Sequence, residues 1–292
     1  RVSGIVVVEN GAEKLIEARR GVILATGGFS HDKELRRALL PREAQELSVA
    51  TEAATGDGLR LGLEAGGHVA KGTLGPAYWT PASQYRNAAG RQVVFPHTVT
   101  DRAKPGLIAV NSAARRFANE AVSYHEFVRA MLRSDNAGSA IPAHLVCDRQ
   151  FLWKYGLGAI KPMTVRLGPF RDAGYLTEAR SVGDLARALG VNENALVETV
   201  ERHNRDARDG VDTEFGRGGD VYQRFLGDAS VQPNPCLAQI KKPPFYSVKV
   251  YPADLGTACG LNTNSDASVL DDSGNPIAGL YACGNDMLSI MR

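Results

Sequence analysis

The sequence has 292 residues, of which 43% are hydrophobic and 23% charged, as in an ordinary folded protein with room for one large domain or two. Its 34 basic and 32 acidic residues leave a net charge of +2, which gives no electrostatic reason to expect nucleic acid or an anionic membrane as a partner. The sequence contains no run of about 18 apolar residues, so no membrane span is predicted.

Four cysteines and six histidines are scattered along the chain, in spacings that metal sites do not use. A chain of this length needs no disulfide to fold, so we predict reduced thiols at Cys147, Cys236, Cys259 and Cys283. The sequence therefore predicts a cytoplasmic protein without a bound metal.

The first thirty residues predict a hairpin followed by a buried strand. Residues 2–9 are apolar and β-branched, Asn10-Gly11 is a strong turn signal, and residues 13–19 can return as the second strand. Residues 21–25 then form a short continuous apolar run. This run ends in Thr26-Gly27-Gly28, where small residues would let a ligand approach the backbone closely.

Residues 55–68 predict a glycine-rich turn and a short helix. Gly56-x-Gly58-x-x-x-Gly62 looks like a variant of a dinucleotide-binding fingerprint, but residues 47–53 are not the buried strand that this motif requires directly before its glycines. The alternative is a helix start that Thr55 or Asp57 caps and that can still lie beside a ligand.

The rest of the chain is less regular. Helical patterns cover residues 32–40 and 182–209, the latter divided by a glycine break after Leu189, and residues 107–110 and 116–119 predict a second hairpin around Asn111-Ser112.

Both ends of the chain contain apolar strands that end in glycine, while the middle is irregular and mixed. This layout predicts a ligand-binding domain of residues 1–70 and 241–292, interrupted by an inserted cap of residues 71–240. The strand ends Ala25-Thr26-Gly27-Gly28 and Ala282-Cys283-Gly284-Asn285-Asp286 together suit a flat or dinucleotide cofactor. Alone, either segment is only a strand leading into a turn.

The segment 115-RRFANEAVSYHEF-127 presents Tyr124 beside His125. A tyrosine with a pKa of about 10 is a poor base unless another group lowers its pKa or relays its proton. On a strand, adjacent side chains diverge, so His125 would not serve Tyr124 in this way. The alternative is a solvated hairpin edge with no catalytic role.

Residues 244–261 contain two further tyrosines and two glycines. Tyr246 and Tyr251 lie five positions apart and would face opposite sides of a strand. Gly256 and Gly260 could expose backbone N–H groups as an oxyanion site. The alternative is an ordinary strand and turn.

As a set, these stretches resemble the flavoprotein family of fumarate reductase, succinate dehydrogenase and the 3-ketosteroid dehydrogenases. The resemblance is carried by residues 21–29 (GVILATGGF), 54–58 (ATGDG), 110–120 (VNSAARRFANE), 244–260 (PFYSVKVYPADLGTACG) and 279–286 (GLYACGND). It implies an α/β fold in which a Rossmann-like FAD-binding domain holds an inserted mixed α+β cap. The family's N-terminal Gly-x-Gly-x-x-Gly segment and its C-terminal end are missing here, so we expect a fragment with an incomplete FAD-binding domain.

The resemblance also indicates a reaction. Fumarate reductases carry an arginine as proton donor four residues after the Asn-Glu of this hairpin, and a paired histidine in the later glycine-rich turn. Here Tyr124 stands at the position of that arginine, and residues 254–260 (DLGTACG) contain no histidine. A tyrosine suits an uncharged ketone, and this pattern resembles the 3-ketosteroid dehydrogenases.

That resemblance implies roles for individual residues. Tyr124 is the base or its relay, and Tyr246 donates to the substrate carbonyl with Tyr251 in reserve. Gly256 supplies an amide to the oxyanion site. FAD would lie near a set of small and polar residues, namely Ala25, Thr26, Gly27, Gly28, Asp57, Gly284, Asn285 and Asp286.

The implied substrate is a steroid-like ketone, desaturated by α-proton abstraction and hydride transfer to the flavin N5, with an external electron acceptor. Two alternatives stay open. One is a flavin-dependent reductase of an unsaturated acid, and the other is an inactive, cofactor-free fragment or binding module.

Overall fold

The computed structural model describes residues 1–72, 75–134 and 138–291. The chain divides into two compact units: unit 1 consists of Arg1–Tyr78 and Asp254–Arg292, and unit 2 of Trp79–Ala253. Unit 2 is therefore inserted into unit 1 in the sequence. The boundaries predicted from the sequence, after residues 70 and 240, fall earlier in the chain.

Strands and helices make up both units. The strands are β1 (Gly4–Glu9), β2 (Ala12–Glu17), β3 (Val22–Leu24), β4 (Val69–Ala70), β5 (Ala77–Arg86), β6 (Gln92–Pro96), β7 (Leu107–Val110), β8 (Ala143–Asp148), β9 (Thr177–Ala179), β10 (Phe245–Thr257), β11 (Gly260–Leu261), β12 (Ser268–Leu270) and β13 (Pro276–Ala282). The helices are α1 (Lys33–Leu39), α2 (Asp57–Glu64), α3 (Tyr124–Arg133), α4 (Arg149–Tyr155), α5 (Gly168–Asp172), α6 (Val182–Leu189), α7 (Glu193–Asp209) and α8 (Val221–Leu226). Short 3₁₀ helices cover Arg42–Ala44 and Gly284–Asp286.

The hairpin predicted at the start of the chain is present in unit 1. β1 and β2 pair antiparallel from Gly4↔Glu17 to Glu9↔Ala12. The turn residues Asn10 and Gly11 have φ angles of 54° and 80°. Both angles lie in the left-handed region, which Asn and Gly adopt most readily, and this explains why Asn-Gly closes the turn.

A second sheet of unit 1 has the strand order β12-β13-β3. β13 is antiparallel to β12 but parallel to β3, in register from Leu280↔Val22 to Ala282↔Leu24. The carboxyl ends of parallel neighbours lie at the same edge of a sheet. The segments that follow β3 and β13 are therefore brought together at that edge.

Unit 2 is built around a sheet of order β6-β5-β10-β8-β7, in which β9 also pairs with β10. β8 is antiparallel to both β10 and β7. Leu185 of α6 and Leu196 of α7 pack in one apolar cluster with Ile108, Val146 and Phe245 of the sheet. This core fixes the middle of the sheet, including the strand that carries Tyr246.

The predicted helical region of residues 182–209 is two helices, α6 and α7. The Ser181 hydroxyl caps α6 by accepting a hydrogen bond from Asp184 N at 3.0 Å, and Gly190 ends it with a left-handed φ of 72°. The side chain of Asn192 then caps α7 through Ala195 N at 2.9 Å. Polar N-caps and a glycine stop explain why this region was recognisable from the sequence.

The second predicted hairpin is wrong in its return strand. After β7 the Asn111 side chain accepts hydrogen bonds from Ala113 N at 3.1 Å and Arg115 N at 3.0 Å, which closes a tight turn. The return is limited to one bridge between Val110 and Arg116. The Arg116 side chain is fully buried in ion pairs, and those pairs, not a strand ladder, fix the residues that follow.

Candidate cofactor and active site

The two strand ends that were predicted to bind a cofactor lie side by side in unit 1. Directly beyond the β3–β13 pairing, Cys283 N donates a hydrogen bond to Leu24 O at 3.0 Å. Ala25 and Thr26 are exposed after β3, and Gly284 is exposed after β13. The backbone of both strand ends is therefore open to a ligand.

Asp286 holds the loop that follows β3. Its carboxylate is fully buried and accepts hydrogen bonds from Thr26 N, from Thr26 Oγ1 at 3.1 Å and from Gly28 N at 3.1 Å. Gly58 N, in the first turn of α2, donates to Thr26 Oγ1 at 3.0 Å. The Asp286 carboxylate is thus committed to the loop and is not presented to solvent.

The glycines at this edge are of two kinds. Gly28 has a φ of 82°, and a Cβ there would lie 2.1 Å from Thr257 Oγ1; a Cβ at Gly58 would lie 2.7 Å from a buried carboxylate oxygen. Gly27 and Gly284 have φ angles of 100° and 64°, and a Cβ at either would meet no atom closer than 4.0 Å. Gly28 and Gly58 therefore serve close packing, whereas the backbone at Gly27 and Gly284 is free for an incoming group.

Helix α2 begins beside the same loop. Its N-cap is Gly56, with a φ of 84° and no side-chain hydrogen bond, so capping by Thr55 or Asp57 is wrong. Thr55 Oγ1 donates to Asp57 Oδ2 at 3.1 Å instead, and Asp57 is exposed. Gly56 N donates to Gly28 O at 3.0 Å, which joins the start of the helix to the strand-end loop. Residues 47–55 contain no strand, so the dinucleotide fingerprint lacks the strand that it requires.

Gly256 and Asn285 meet at this edge as well. A Cβ at Gly256 would lie 2.6 Å from Asn285 Nδ2, and Asn285 O accepts a hydrogen bond from Thr257 Oγ1 at 3.3 Å. Gly256 is therefore grouped with the predicted cofactor residues in unit 1. Tyr124 and Tyr246, which were predicted to act with it, belong to unit 2.

An ion pair between Arg36 and Asp254 lies in unit 1 and was missed in the sequence. Asp254 is fully buried and accepts from Arg36 Nη1 at 2.5 Å, from Ser30 Oγ at 2.7 Å and from Ser48 Oγ at 3.1 Å. Arg36 also donates to Leu47 O at 2.8 Å. The pair fixes the end of β10 to the segments that follow the β3 loop. Its two residues lie far apart in the sequence, so no local pattern predicts it.

Tyr124 is the first residue of helix α3 in unit 2. The Ser123 side chain caps this helix by accepting a hydrogen bond from Glu126 N at 3.2 Å. Placing Tyr124 on a strand or a hairpin edge is therefore wrong. The signal was present in the sequence, because Ser-x-x-Glu before the apolar residues Phe127 and Val128 is typical of a helix start.

A buried arginine fixes the loop that leads to Tyr124. Arg102 Nη1 donates to Glu120 O at 2.8 Å and to Val122 O at 3.3 Å. Its guanidinium also lies 4.8 Å from the centre of the Phe127 ring, on the first turns of α3. Arg102 therefore holds both the incoming loop and the helix, and a single arginine in an irregular segment gives no local sequence signal for this role.

Glu120 is the centre of a buried ion network under the same loop. Its carboxylate accepts from Ala109 N at 3.1 Å, from Arg116 Nε at 2.8 Å and from Arg217 Nη1 at 3.2 Å. Arg116 also pairs with Asp212 at 2.7 Å. Burial alone would raise the pKa of Glu120, but the charges of Arg116 and Arg217 and the hydrogen bonds outweigh it, so the pKa is lowered and the carboxyl group stays ionised.

Tyr124 and His125 do not form a pair. The Tyr124 side chain is half-buried, and among the described residues no hydrogen bond to its hydroxyl is found. His125 Nδ1 accepts a hydrogen bond from Trp79 N at 3.3 Å. Consecutive side chains on a helix point in different directions, so the two side chains diverge. The sequence predicted this divergence correctly but attributed it to a strand.

Tyr246 and Tyr251 both lie on β10, as predicted. Tyr246 is only 4% exposed and sits between Cys147 of β8 and Glu178 of β9. Burial, assisted by the charge of Glu178, raises the pKa of Tyr246 to about 12. Tyr251 is half-buried, and burial raises its pKa as well. Both phenols therefore keep their protons at neutral pH and are suited to donate hydrogen bonds.

Comparison with known proteins identifies the family. The model of the FAD binding domain family matches residues 1–292, so the chain belongs to this family. A 4-oxocyclohex-2-ene-1-carboxylate 5-dehydrogenase of Sinomonas cyclohexanicum is 38% identical over 271 residues, which cover 92% of this chain and 46% of the relative. A 3-oxosteroid 1-dehydrogenase of Mycobacterium tuberculosis (strain ATCC 25618 / H37Rv) is 35% identical over 304 residues, which cover 99% of this chain and 52% of the relative.

The fold is shared with a solved structure of the same kind. The 3-ketosteroid delta1-dehydrogenase from Sterolibacterium denitrificans, solved with 1,4-androstadiene-3,17-dione, matches with a TM-score of 0.92 at 38% identity and covers 100% of this chain and 52% of that chain. The chain thus spans about half the length of the relatives that it matches. These matches confirm the predicted family, the α/β flavoprotein fold class and FAD as the cofactor.

The described residues offer neither a metal site nor a membrane-spanning helix. They contain no group of three or more His, Cys, Asp or Glu side chains placed to hold a metal ion. None of the helices they form has both the length and the apolar character needed to cross a membrane.

Proposed function

We propose that the protein is an FAD-dependent dehydrogenase that desaturates a cyclic ketone of the 3-ketosteroid type. The observation that carries this proposal is Tyr124, a half-buried tyrosine at the start of α3, in the position where fumarate reductases carry arginine. The loop before it is fixed by the buried side chains of Arg102 and Glu120. A fixed phenol suits proton transfer from a neutral ketone, whereas a dicarboxylate would require a cation.

In this proposal Tyr124 takes the proton from the carbon next to the carbonyl, directly or as a relay. Tyr246, whose pKa is raised to about 12, stays protonated and donates a hydrogen bond to the substrate carbonyl, with Tyr251 in reserve. The Gly256 amide would add a second donor. Bound FAD supplies the acceptor for the hydride that leaves the neighbouring carbon.

The cofactor would be held by the strand-end edge of unit 1. The open backbone at Gly27 and Gly284 and the exposed Ala25 and Thr26 fit a group that must approach the main chain closely. Asp57 and Asn285 flank this edge, while Gly28 and the buried Asp286 would position the loop without touching the cofactor.

The names of the relatives support a substrate class. One relative is named for 4-oxocyclohex-2-ene-1-carboxylate and another for 3-oxosteroids, and both names describe a ring ketone. We infer a small-molecule ring ketone as the substrate here, together with an external electron acceptor. We also propose a cytoplasmic location, which is supported by the free thiols at all four cysteines.

The test is Tyr124→Phe in the full-length protein, assayed with a 3-ketosteroid, with 4-oxocyclohexanecarboxylate and with an artificial electron acceptor. Loss of the base is expected to lower kcat by about 10²- to 10⁴-fold while the flavin spectrum stays unchanged. Tyr222→Phe, an exposed tyrosine of the same unit, is the matched control and is expected to keep full turnover.

Three results would overturn the proposal. Unchanged turnover in Tyr124→Phe removes the base assignment. Rapid reduction of fumarate by the unaltered protein would point instead to a reductase of unsaturated acids. Absence of flavin absorbance at about 450 nm would leave a cofactor-free binding module.

A further inference from the structure

Residues 149–171 carry a local charge that the whole-chain balance hides. They contain five basic residues and no acidic residue, so the remainder of the chain, with 29 basic and 32 acidic residues, is net negative. The segment covers α4, the loop that follows it and α5 up to Arg171, all within unit 2; the last residue of α5, Asp172, lies just outside it.

The same segment exposes three large apolar side chains. Trp153 is 52% exposed, Met163 is 66% exposed and Val165 is 82% exposed. Met163 N donates a hydrogen bond to Trp153 O at 2.9 Å, which places the backbone of the loop against the end of α4, and Val165 follows two residues later. Exposed large apolar side chains that are grouped on neighbouring segments mark an interaction site more often than isolated ones do.

The basic side chains around this area are mostly without acidic partners. Lys154 pairs with Asp228 at 2.6 Å, and Arg171 pairs with Glu178 at 2.8 Å. The other basic residues of the segment, Arg149, Lys161 and Arg166, are exposed and form no ion pair with any described residue. Lys242 adds a fourth exposed charge, since it lines the same surface depression as Arg149 and Trp153.

We propose that this surface, defined by Trp153, Met163, Val165, Arg149, Lys161, Arg166 and Lys242 and called here the Trp153 surface, docks the protein onto an anionic lipid bilayer. Apolar side chains surrounded by lysine and arginine are the combination that holds proteins at the membrane interface, the former between acyl chains and the latter at headgroup phosphates. A second copy of the chain is disfavoured on the same face, because two such surfaces would bring like charges together.

The proposal is independent of the reaction, and the chain contains an internal probe for it. Of its two tryptophans, Trp79 is 2% exposed and Trp153 is 52% exposed. Adding vesicles of phosphatidylcholine with about 30% phosphatidylglycerol to the purified protein is expected to shift tryptophan emission to shorter wavelength and to make it quenchable by brominated lipid. Trp153→Phe should abolish both signals, because Trp79 is already shielded.

Two pairs of substitutions separate the apolar and the electrostatic contributions in a vesicle sedimentation assay. Lys161→Glu with Arg166→Glu is expected to weaken binding at least about 20-fold, and Met163→Ser with Val165→Ser about 10-fold. The controls are Arg91→Glu and Val211→Ser, exposed positions of unit 2 outside the Trp153 surface, and they should bind as the unaltered protein does.

Salt and lipid composition complete the test. Binding should be far weaker on pure phosphatidylcholine. On anionic vesicles it should fall steeply between about 0.1 and about 0.5 M salt, because salt screens the attraction between surface charges over this range. The proposal is overturned if anionic vesicles leave Trp153 emission unchanged, or if both double variants bind normally. It is also overturned if sedimentation shows that the unaltered chain self-associates and that these substitutions make it monomeric, since a second copy would then cover the surface.

Discussion

Replacing Glu120 by alanine should remove about 3–5 kcal/mol from the free energy of unfolding. The carboxylate is completely buried and accepts hydrogen bonds from Arg116, from Arg217 and from Ala109 N. Arg116 keeps a second carboxylate partner, Asp212, at 2.7 Å. The fully buried Arg217 would keep only backbone carbonyls as acceptors and a weaker electrostatic interaction with Asp212. The cost therefore comes mainly from leaving the Arg217 cation in the interior with no paired anion.

Urea unfolding followed by circular dichroism at pH 7 measures this loss, and thermal unfolding should show a decrease in Tm of about 6–20 °C. Glu198→Ala is the control, because its pair with Arg115 spans a similar 2.7 Å but both side chains are about half exposed. An exposed pair contributes at most about 1 kcal/mol. The reasoning is refuted if Glu120→Ala and Glu198→Ala lose the same stability.

Three further predictions concern other parts of the chain. Gly28→Ala should be strongly destabilising and should weaken FAD retention, because its Cβ would overlap Thr257 Oγ1. The control is Gly90→Ala, which has a similar φ but open space around its Cβ and should cost about 1 kcal/mol. Thermal unfolding compares the two variants. Asp286→Asn should cost about 1–3 kcal/mol in the same assay, because an amide cannot accept from all the N–H and O–H donors that now face the carboxylate, and an unchanged Tm would contradict the role assigned to Asp286. Burial and nearby arginines lower the pKa of His203 to about 4, so folding disfavours its protonation. The free energy of unfolding should therefore fall as the pH drops from about 6.5 to about 4. Between about pH 7 and about pH 4.5, His203→Gln should lose about 2 kcal/mol less of this free energy than the unaltered protein does, as measured by urea unfolding.

Local signals in the sequence predicted several elements correctly. Asn10-Gly11 identified the first hairpin, and the glycine between residues 189 and 191 separated α6 from α7. Apolar runs ending in small residues identified β3 and β13, and parallel pairing places the two ends together. For each of these elements the residues that decide its local structure are neighbours in the chain, so composition and spacing are sufficient, whereas the pairing of β3 with β13 joins distant segments.

The remaining features depend on contacts that the sequence does not display. Arg102 and Arg217 sit in irregular segments and look like solvated charges until the fold brings carbonyl groups around them. Asp254 meets Arg36 from a position 218 residues away. Tyr124 is a different case, since the Ser123-x-x-Glu126 cap was visible, and its helix was missed because a turn signal at Asn111 suggested a hairpin.

The parallel pairing of β3 with β13 has a consequence for the order of synthesis. β3 cannot pair at Val22 until its partner Leu280 has been synthesised. A ribosome that adds about 5–20 residues per second takes about 10–50 s to make the intervening chain. Unit 2 is continuous and is complete before β13 is translated, so it can fold while one edge of β3 is still unpaired. A substitution that slows the folding of unit 2 would therefore prolong the time during which a nascent strand edge is available to other chains, and lower yield on expression would be its first visible effect.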